Sequence, residues 1–214
     1  MRVGQDRSEQ DGSRAVHTVQ RSSRPIGKRD TSRALLGGFA CRSIGRVPQL
    51  VVPRLTVAPS VRAAACAHGD DPQPAYSTTV ATLAEDELAG YVDSLLADTR
   101  EGTPRPAGYV PSTHLWWVER EQFLGRVHIR HRLTPFLRQV DGDLWYHVVP
   151  TERHRGHATA MLAAALPVAA ALGIECLLLT CDADNVGSRK VIDANGGLLQ
   201  DQRGHKLRFW VPTT

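Results

Sequence analysis

The chain has no C-x-x-C pair. Its four cysteines, Cys41, Cys66, Cys176 and Cys181, are too sparse for a disulfide framework and match no zinc-ligand spacing, so neither a stapled scaffold nor a bound metal is expected. Cys176 and Cys181 flank an apolar strand candidate and read as buried free thiols. A membrane span is missing too. The longest uncharged apolar run, Ala158 to Ile174, is interrupted by Thr159 and contains Pro167 and Gly173, which makes it a buried helix rather than a crossing segment. No secretory-type apolar segment and no internal repeat stand out. With 42% hydrophobic and 22% charged residues, the composition is that of an ordinary globular protein, expected in the cytoplasm and off the membrane.

Charge is unevenly spread along the 214 residues. Residues 1–47 hold ten Lys/Arg against four Asp/Glu, a net of +6, whereas 48–214 hold sixteen against eighteen, a net of −2. The basic part is rich in Arg, Ser and Gly and has little apolar periodicity, so it reads as a disordered extension, 1–47, ahead of a single domain, 48–214. Acidic residues Asp6, Glu9, Asp11 and Asp30 argue against a targeting presequence there. A nucleic-acid-binding arm is the weaker reading, because no aromatic beyond Phe39 is interleaved. Nucleic acid is therefore not expected as a partner of the domain, and an overlong start is the duller account of the extension.

The domain is organised around Leu144 to Ala171, LWYHVVPTERHRGHATAMLAAALPVAAA. Aromatic and β-branched residues predict a strand over Leu144 to Val149, which Pro150 stops. Ala- and Leu-rich sequence from Ala158 predicts a long helix, kinked or ended in its regular part by Pro167. Between them lies a basic turn with Gly156. A helix N-terminus carries unpaired N–H groups and positive dipole charge, and glycine lets a diphosphate come close to the backbone.

Upstream, Leu50 to Leu55 is a short strand candidate, at an edge because of Pro53. Ala58 to His68 is a first helix, Gly69 to Tyr76 a loop, and Leu83 to Arg100 an amphipathic helix with a stripe of Leu83, Leu88, Tyr91, Val92, Leu95 and Leu96. Residues 101–111 are a Pro-containing loop. His114 to Arg120 and Phe123 to Arg132 are consecutive strands, Thr134 to Gln139 a helical turn, and Val140 to Asp143 a turn. Downstream, Ile174 to Thr180 is a buried strand. Asp184 is a candidate N-cap for a helix from Asn185 to Ala194, which Asn195-Gly196 stops. Gly197 to Asp201 and Lys206 to Val211 close the chain as an antiparallel pair.

Two ordered motifs carry a family resemblance over roughly residues 48 to 212. Arg153-His154-Arg155-Gly156-His157-Ala158 fits R/Q-x-x-G-x-G/A, and Thr180 to Gly197 fits T-C-D-x-D-N-x-x-S-x-x-V-I-x-x-N-G-G. Together they resemble the GNAT N-acetyltransferase superfamily, in particular a bacterial subgroup of predicted acetyltransferases. The resemblance implies an α/β (α+β) fold: a mixed, mostly antiparallel sheet splayed at its middle, with helices on both faces. It implies acetyl-CoA as co-substrate and no metal. It also implies a direct attack of an amine on the thioester, with a small-molecule or protein amine as acceptor and a homodimer left open. The pantetheine arm would run along Tyr146 to Val149, so that Val148 and Val149 bind cofactor. The diphosphate would sit on the loop from Arg153 through Arg155, Gly156, His157, Ala158 and Thr159 to Ala160, and Asn185 and Ser188 would contact the rest of the cofactor.

His147 and Asp143 are the leading candidates for the base, with Glu119, His128 and His131 as second choices and a water chain equally compatible. Many members of the superfamily carry an acid tyrosine four residues beyond the Ser188 position, which here is Ile192. Tyr146 or Cys181 are the available substitutes. That departure keeps a second reading open, a non-catalytic acyl-CoA-binding sensor or interaction module.

Overall fold

The computed structural model describes residues 47–68 and 77–214. These fall within one compact unit, Ala40–Thr214, and the other unit, Met1–Phe39, lies outside them. The expected extension up to residue 46 and the whole of the expected loop from Gly69 to Tyr76 therefore lie outside the described residues.

Four strands, β1 (Gln49–Val51), β2 (Ser112–Glu119), β3 (Gln122–Arg130) and β4 (Leu144–Val148), form one antiparallel sheet in that order. Pro53 follows β1 and cannot donate to a ladder, so β1 is short and lies at the edge. A second sheet, in the order β5-β7-β6, joins β5 (Cys176–Asp182), β7 (Lys206–Pro212) and β6 (Leu198–Arg203), again antiparallel. The helices are α1 (Ala58–Ala67), α2 (Ser77–Ala81), α3 (Leu88–Ala97), α4 (Pro135–Val140), α5 (His157–Ala171) and α6 (Val186–Ala194).

Alternation along the strands divides the core into two layers. Leu115, Trp117, Leu124, Val127, Ile129, Leu144 and Val148 face Met161, Leu162, Ala165 and Ala169 of α5 and Ile192 of α6. Trp116, Val118, Phe123 and Val149 pack on the other side against Val57, Val61 and Ala65 at α1 and Leu88 and Val92 of α3. Trp116 meets Phe123 edge-on, with centroids 6.1 Å apart.

Several elements differ from expectation for local reasons. The amphipathic helix begins at Leu88 rather than Leu83, because Glu87 turns its carboxylate back to accept from the Ala84 N–H at 2.7 Å. Its apolar stripe is as expected, with Leu83, Tyr91, Leu95 and Leu96 packed against the buried Leu88 and Val92. Helix α2 was not anticipated. Helix α5 runs through Pro167 to Ala171; the carbonyl of Ala163 that loses its donor lies on the exposed side. The cap of α6 is Asn185, whose Oδ1 accepts from Ser188 N at 2.9 Å, in place of Asp184. Cys181 is buried, but Cys176, at the start of β5, is exposed.

Candidate active site

The two sheets meet at one point. Asp143 N donates to Leu178 O at 2.7 Å, and Leu178 N donates to Asp143 Oδ2 at 2.9 Å. Gly142, at φ +74°, makes this approach sterically feasible: a Cβ there would lie 2.2 Å from Leu178 O. From this joint β4 and β5 run on and separate. Leu144 to Val148 line one wall of the resulting cleft and Leu179 to Asp182 the other. The connection between them, β4-α5-β5, is a crossover of the kind parallel neighbours need. The cleft encloses about 910 Å³, room for a long flexible ligand.

The far end of the cleft is the N-terminus of α5. His154 and Gly156 both have positive φ, +62° and +79°, and the helix starts from Gly156 with no capping side chain and no acidic residue in its first turn. Ala160 N bonds Gly156 O at 3.1 Å. The N–H groups of His157, Ala158 and Thr159 precede that first helical bond and thus are the free donors of the first turn. With the helix dipole they form an anion-binding end to the cleft. Gly156, His157, Ala158 and Thr159 all line it. Trp117 Nε1 donates to His157 Nδ1 at 3.2 Å, which places the imidazole proton on Nε2.

Of the residues singled out from sequence, Tyr146, His147, Val148, Arg153, Gly156, His157, Ala158, Thr159, Asn185 and Ser188 line the cleft together. Three do not. Asp143 is buried in the sheet joint, where its carboxylate holds β5. Val149 is buried in the α1/α3 layer and its N–H is bonded to Leu124 O at 2.9 Å, so it is not offered to a ligand. Arg155 points to Glu152, Nη1 to Oε2 at 2.7 Å, on the exposed side of the turn. Thr180, Cys181, Asp182 and Lys206 also line the cleft. Cys181 and Thr180 lay inside the second motif, but the approach of Lys206 depends on the β5–β7 pairing, which has no local signal.

Strand alternation places Tyr146 and His147 on opposite faces of β4. Tyr146 Oη is 2.8 Å from Ser188 Oγ, and burial pushes the phenol up to about 12, so it stays protonated. His147 is buried, stacked 6.0 Å from Trp145, and its Nε2 accepts from Arg153 Nη2 at 3.3 Å, since a guanidinium only donates. Arg153 Nε also donates to Val148 O at 3.1 Å. Burial raises the Cys181 thiol above its ordinary range, leaving it a neutral wall group. Ile192, four residues beyond Ser188, is wholly buried in the core.

The α3 face of the first sheet is more polar than its core layer. Arg126 lies over the Trp145 ring, 4.6 Å from the centroid. His114 and His128 stack at 4.5 Å, and His114 Nε2 is 2.9 Å from Asp98 Oδ2. Burial, followed by the charges of His114, Arg130 and Arg126, holds His128 well below the usual imidazole range. His131 is lowered chiefly by burial and pairs with Thr113 Oγ1 at 2.8 Å. These second-choice bases do not line the cleft.

Comparison with known proteins agrees with this geometry. Residues 63–197 match the family model described as acetyltransferase (GNAT) domain. No curated protein matches the chain in sequence. Among solved structures, the microcin C7 self-immunity acetyltransferase MccE, in complex with acetyl-CoA and AMP, has a TM-score of 0.56 at 11% identity over 79% of this chain and 94% of its own. The ribosomal L7/L12 α-N-protein acetyltransferase RimL, in complex with coenzyme A, has a TM-score of 0.55 at 15% identity over 78% and 94%. Mycobacterium smegmatis RimJ, in complex with CoA-disulfide, has 0.55 at 18% over 76% and 79%. At such identities the likeness is one of fold: mixed α/β, with antiparallel sheets and flanking helices.

Proposed function

The chain belongs to the GNAT acetyltransferase family, and from that premise we propose that it moves an acetyl group from acetyl-CoA to an amine by direct attack on the thioester. One observation carries the reading: the open edge of β4 leads straight to the uncapped N-terminus of α5 within a single cleft. The edge suits a pantetheine arm lying like an added strand, and the helix end suits a diphosphate. Structural neighbours in complex with acetyl-CoA or coenzyme A support the same co-substrate.

In this reading the acceptor approaches from the His147 face of β4. His147 takes a proton from the ammonium on Nε2, exchanging its Arg153 contact for the acceptor, the freed amine attacks the carbonyl carbon, and the C–S bond breaks once the C–N bond has formed. Tyr146, on the other face and held by Ser188, offers its hydrogen to the departing sulfur, and the second proton shed by the acylated nitrogen restores the phenol. A phenol pushed up to about 12 is a donor and not a base, which fits this side of the reaction. Tyr146 thus supplies from β4 the phenol that Ile192 does not. The acceptor is an amine of a small molecule or of a protein.

The test is CoA thiol release by the full chain against a panel of amines and peptides, with the product identified by mass. The wild type is expected to turn over. His147→Gln and Tyr146→Phe are expected to lower kcat about 10²-fold or more while acetyl-CoA affinity is retained. Tight acetyl-CoA binding with no turnover on any amine would instead support the acyl-CoA-binding module.

A further inference from the structure

A second cluster of chemistry lies on the α3 face of the first sheet, among residues that the cleft does not use. Asp98 follows the last turn of α3, His114 sits on β2 and His128 on β3. One donor atom from each lies within 4.8 Å of the other two. We propose that Asp98, His114 and His128 form a binding site for a divalent transition-metal ion of the zinc type.

Two imidazoles and one carboxylate are a donor set suited to such ions, with a further position left for water. His128 Nε2 is buried and has no hydrogen-bond partner among the described residues, a costly state for a polar atom that a metal would relieve. The carboxylate is already oriented. Arg105 Nε donates to Asp98 Oδ1 at 2.8 Å, so that Oδ2 is turned toward His114 at 2.9 Å. That is the supporting role outer hydrogen bonds have around metal ligands.

The neighbouring cations are engaged elsewhere. Arg126 lies over Trp145, Arg130 pairs with Asp141, and Arg132 pairs with Glu101. Metal–ligand bonds of 2.0–2.2 Å require donors to close to about 3.3 Å from one another. Binding thus requires the two near-parallel imidazoles to tilt so that their nitrogens converge, with His114 Nε2 easing off Asp98 Oδ2. The ion would tie the end of α3 to the paired strands β2 and β3. This departs from the expectation of no metal, which rested on cysteine spacing.

The proposal is independent of acetyl transfer and is read without an activity assay. Full-length protein is titrated with Zn²⁺ by calorimetry and with Co²⁺ by visible absorption, with Mg²⁺ and Ca²⁺ as hard-cation comparators. One equivalent of Zn²⁺ is expected to bind, Co²⁺ to give ligand-field bands that Zn²⁺ displaces, and Mg²⁺ and Ca²⁺ to have no effect. His128→Gln is expected to lose the site, and Arg105→Gln to weaken it about 10–100-fold. His205→Gln, at an exposed histidine beside Asp182, is expected to leave it unchanged. If a variant fails to fold, the wild-type measurement still decides. No saturable Zn²⁺ binding by folded wild type would overturn the proposal, as would binding undiminished in a folded His128→Gln or lost in His205→Gln.

Discussion

The same two strands, β4 and β5, behave oppositely at their two ends. At one end Asp143 and Leu178 exchange backbone and side-chain hydrogen bonds, and the strands touch. Four residues further along they have parted around an open cleft that ends at bare helix N–H groups. The closed end spends a buried carboxylate and a left-handed glycine on structure. The open end leaves the helix dipole and, apart from the Val148 carbonyl that Arg153 holds, the strand edge to a ligand, as far as the described residues go. A ligand site in this fold is thus a sheet that begins to pair and then stops, and residue type at the joint decides where it stops.

This contrast can be broken from either end. The largest effect is expected at the joint itself: Gly142→Val places a Cβ against Leu178 O in a left-handed backbone, so stability falls by about 3 kcal/mol or more in denaturant melts. Next comes Gly156→Asp at the open end. Its Cβ meets nothing within 4 Å, so the fold persists with a small loss from φ +79°, while the added carboxylate repels diphosphate. Acetyl-CoA affinity by calorimetry is expected to drop about 100-fold, or roughly 2.7 kcal/mol.

A smaller effect follows from Asp143→Ala, which orphans the Leu178 N–H. Stability is expected to fall by about 1–3 kcal/mol. kcat is expected to keep most of its value, because on the proposed assignment His147 is the base and this carboxylate holds β5. A kcat loss comparable to that of His147→Gln would contradict that division.

The smallest concerns Asp201, on the other sheet, away from both ends. The hydrogen bond and charge of Arg208, 2.5 Å away at Nη2, outweigh burial and hold its carboxyl below the ordinary value. A carboxyl lowered in the folded state contributes stability that is fully present above its unfolded pKa, about 3.9. That stability is lost as pH falls through the lower folded value. Melts from pH 7 to 5 should be the same for wild type and Asp201→Asn relative to their own plateaus, and only the wild type should show this increment of loss below about pH 4.

What was legible in the sequence was mostly local. Pro150 ending a strand, Gly156 opening a helix, Gly173 and Gly196 closing helices and the alternation through Trp145 and His147 each depend on chemistry within a few positions. The cap of α6 was displaced by one residue because Asp184 and Asn185 are equally competent caps and only backbone direction chooses between them. Asp143 read as a base because alternation put it on the same face as His147. Its partner, the Leu178 N–H, is 35 residues away and arrives only when the sheets join. Arg155 fits its motif and Val149 extends the expected pantetheine run, but both turn elsewhere, Val149 into the Leu124 ladder and Arg155 onto Glu152. The Asp98–His114–His128 cluster escaped notice because it needs both the β2–β3 register, which sets His114 opposite His128, and the packing of α3, which brings Asp98 to them.

The measurement that bears most directly on the central claim is a calorimetric titration of the folded full-length chain with acetyl-CoA, with CoA and ATP as comparators. Saturable binding, competed by CoA and not by ATP, is the predicted result and places the ligand in the β4–β5 cleft when Gly156→Asp weakens it about 100-fold. No binding by folded protein, or binding indifferent to Gly156→Asp, would contradict the claim that the parted strands and the bare helix end form one cofactor site.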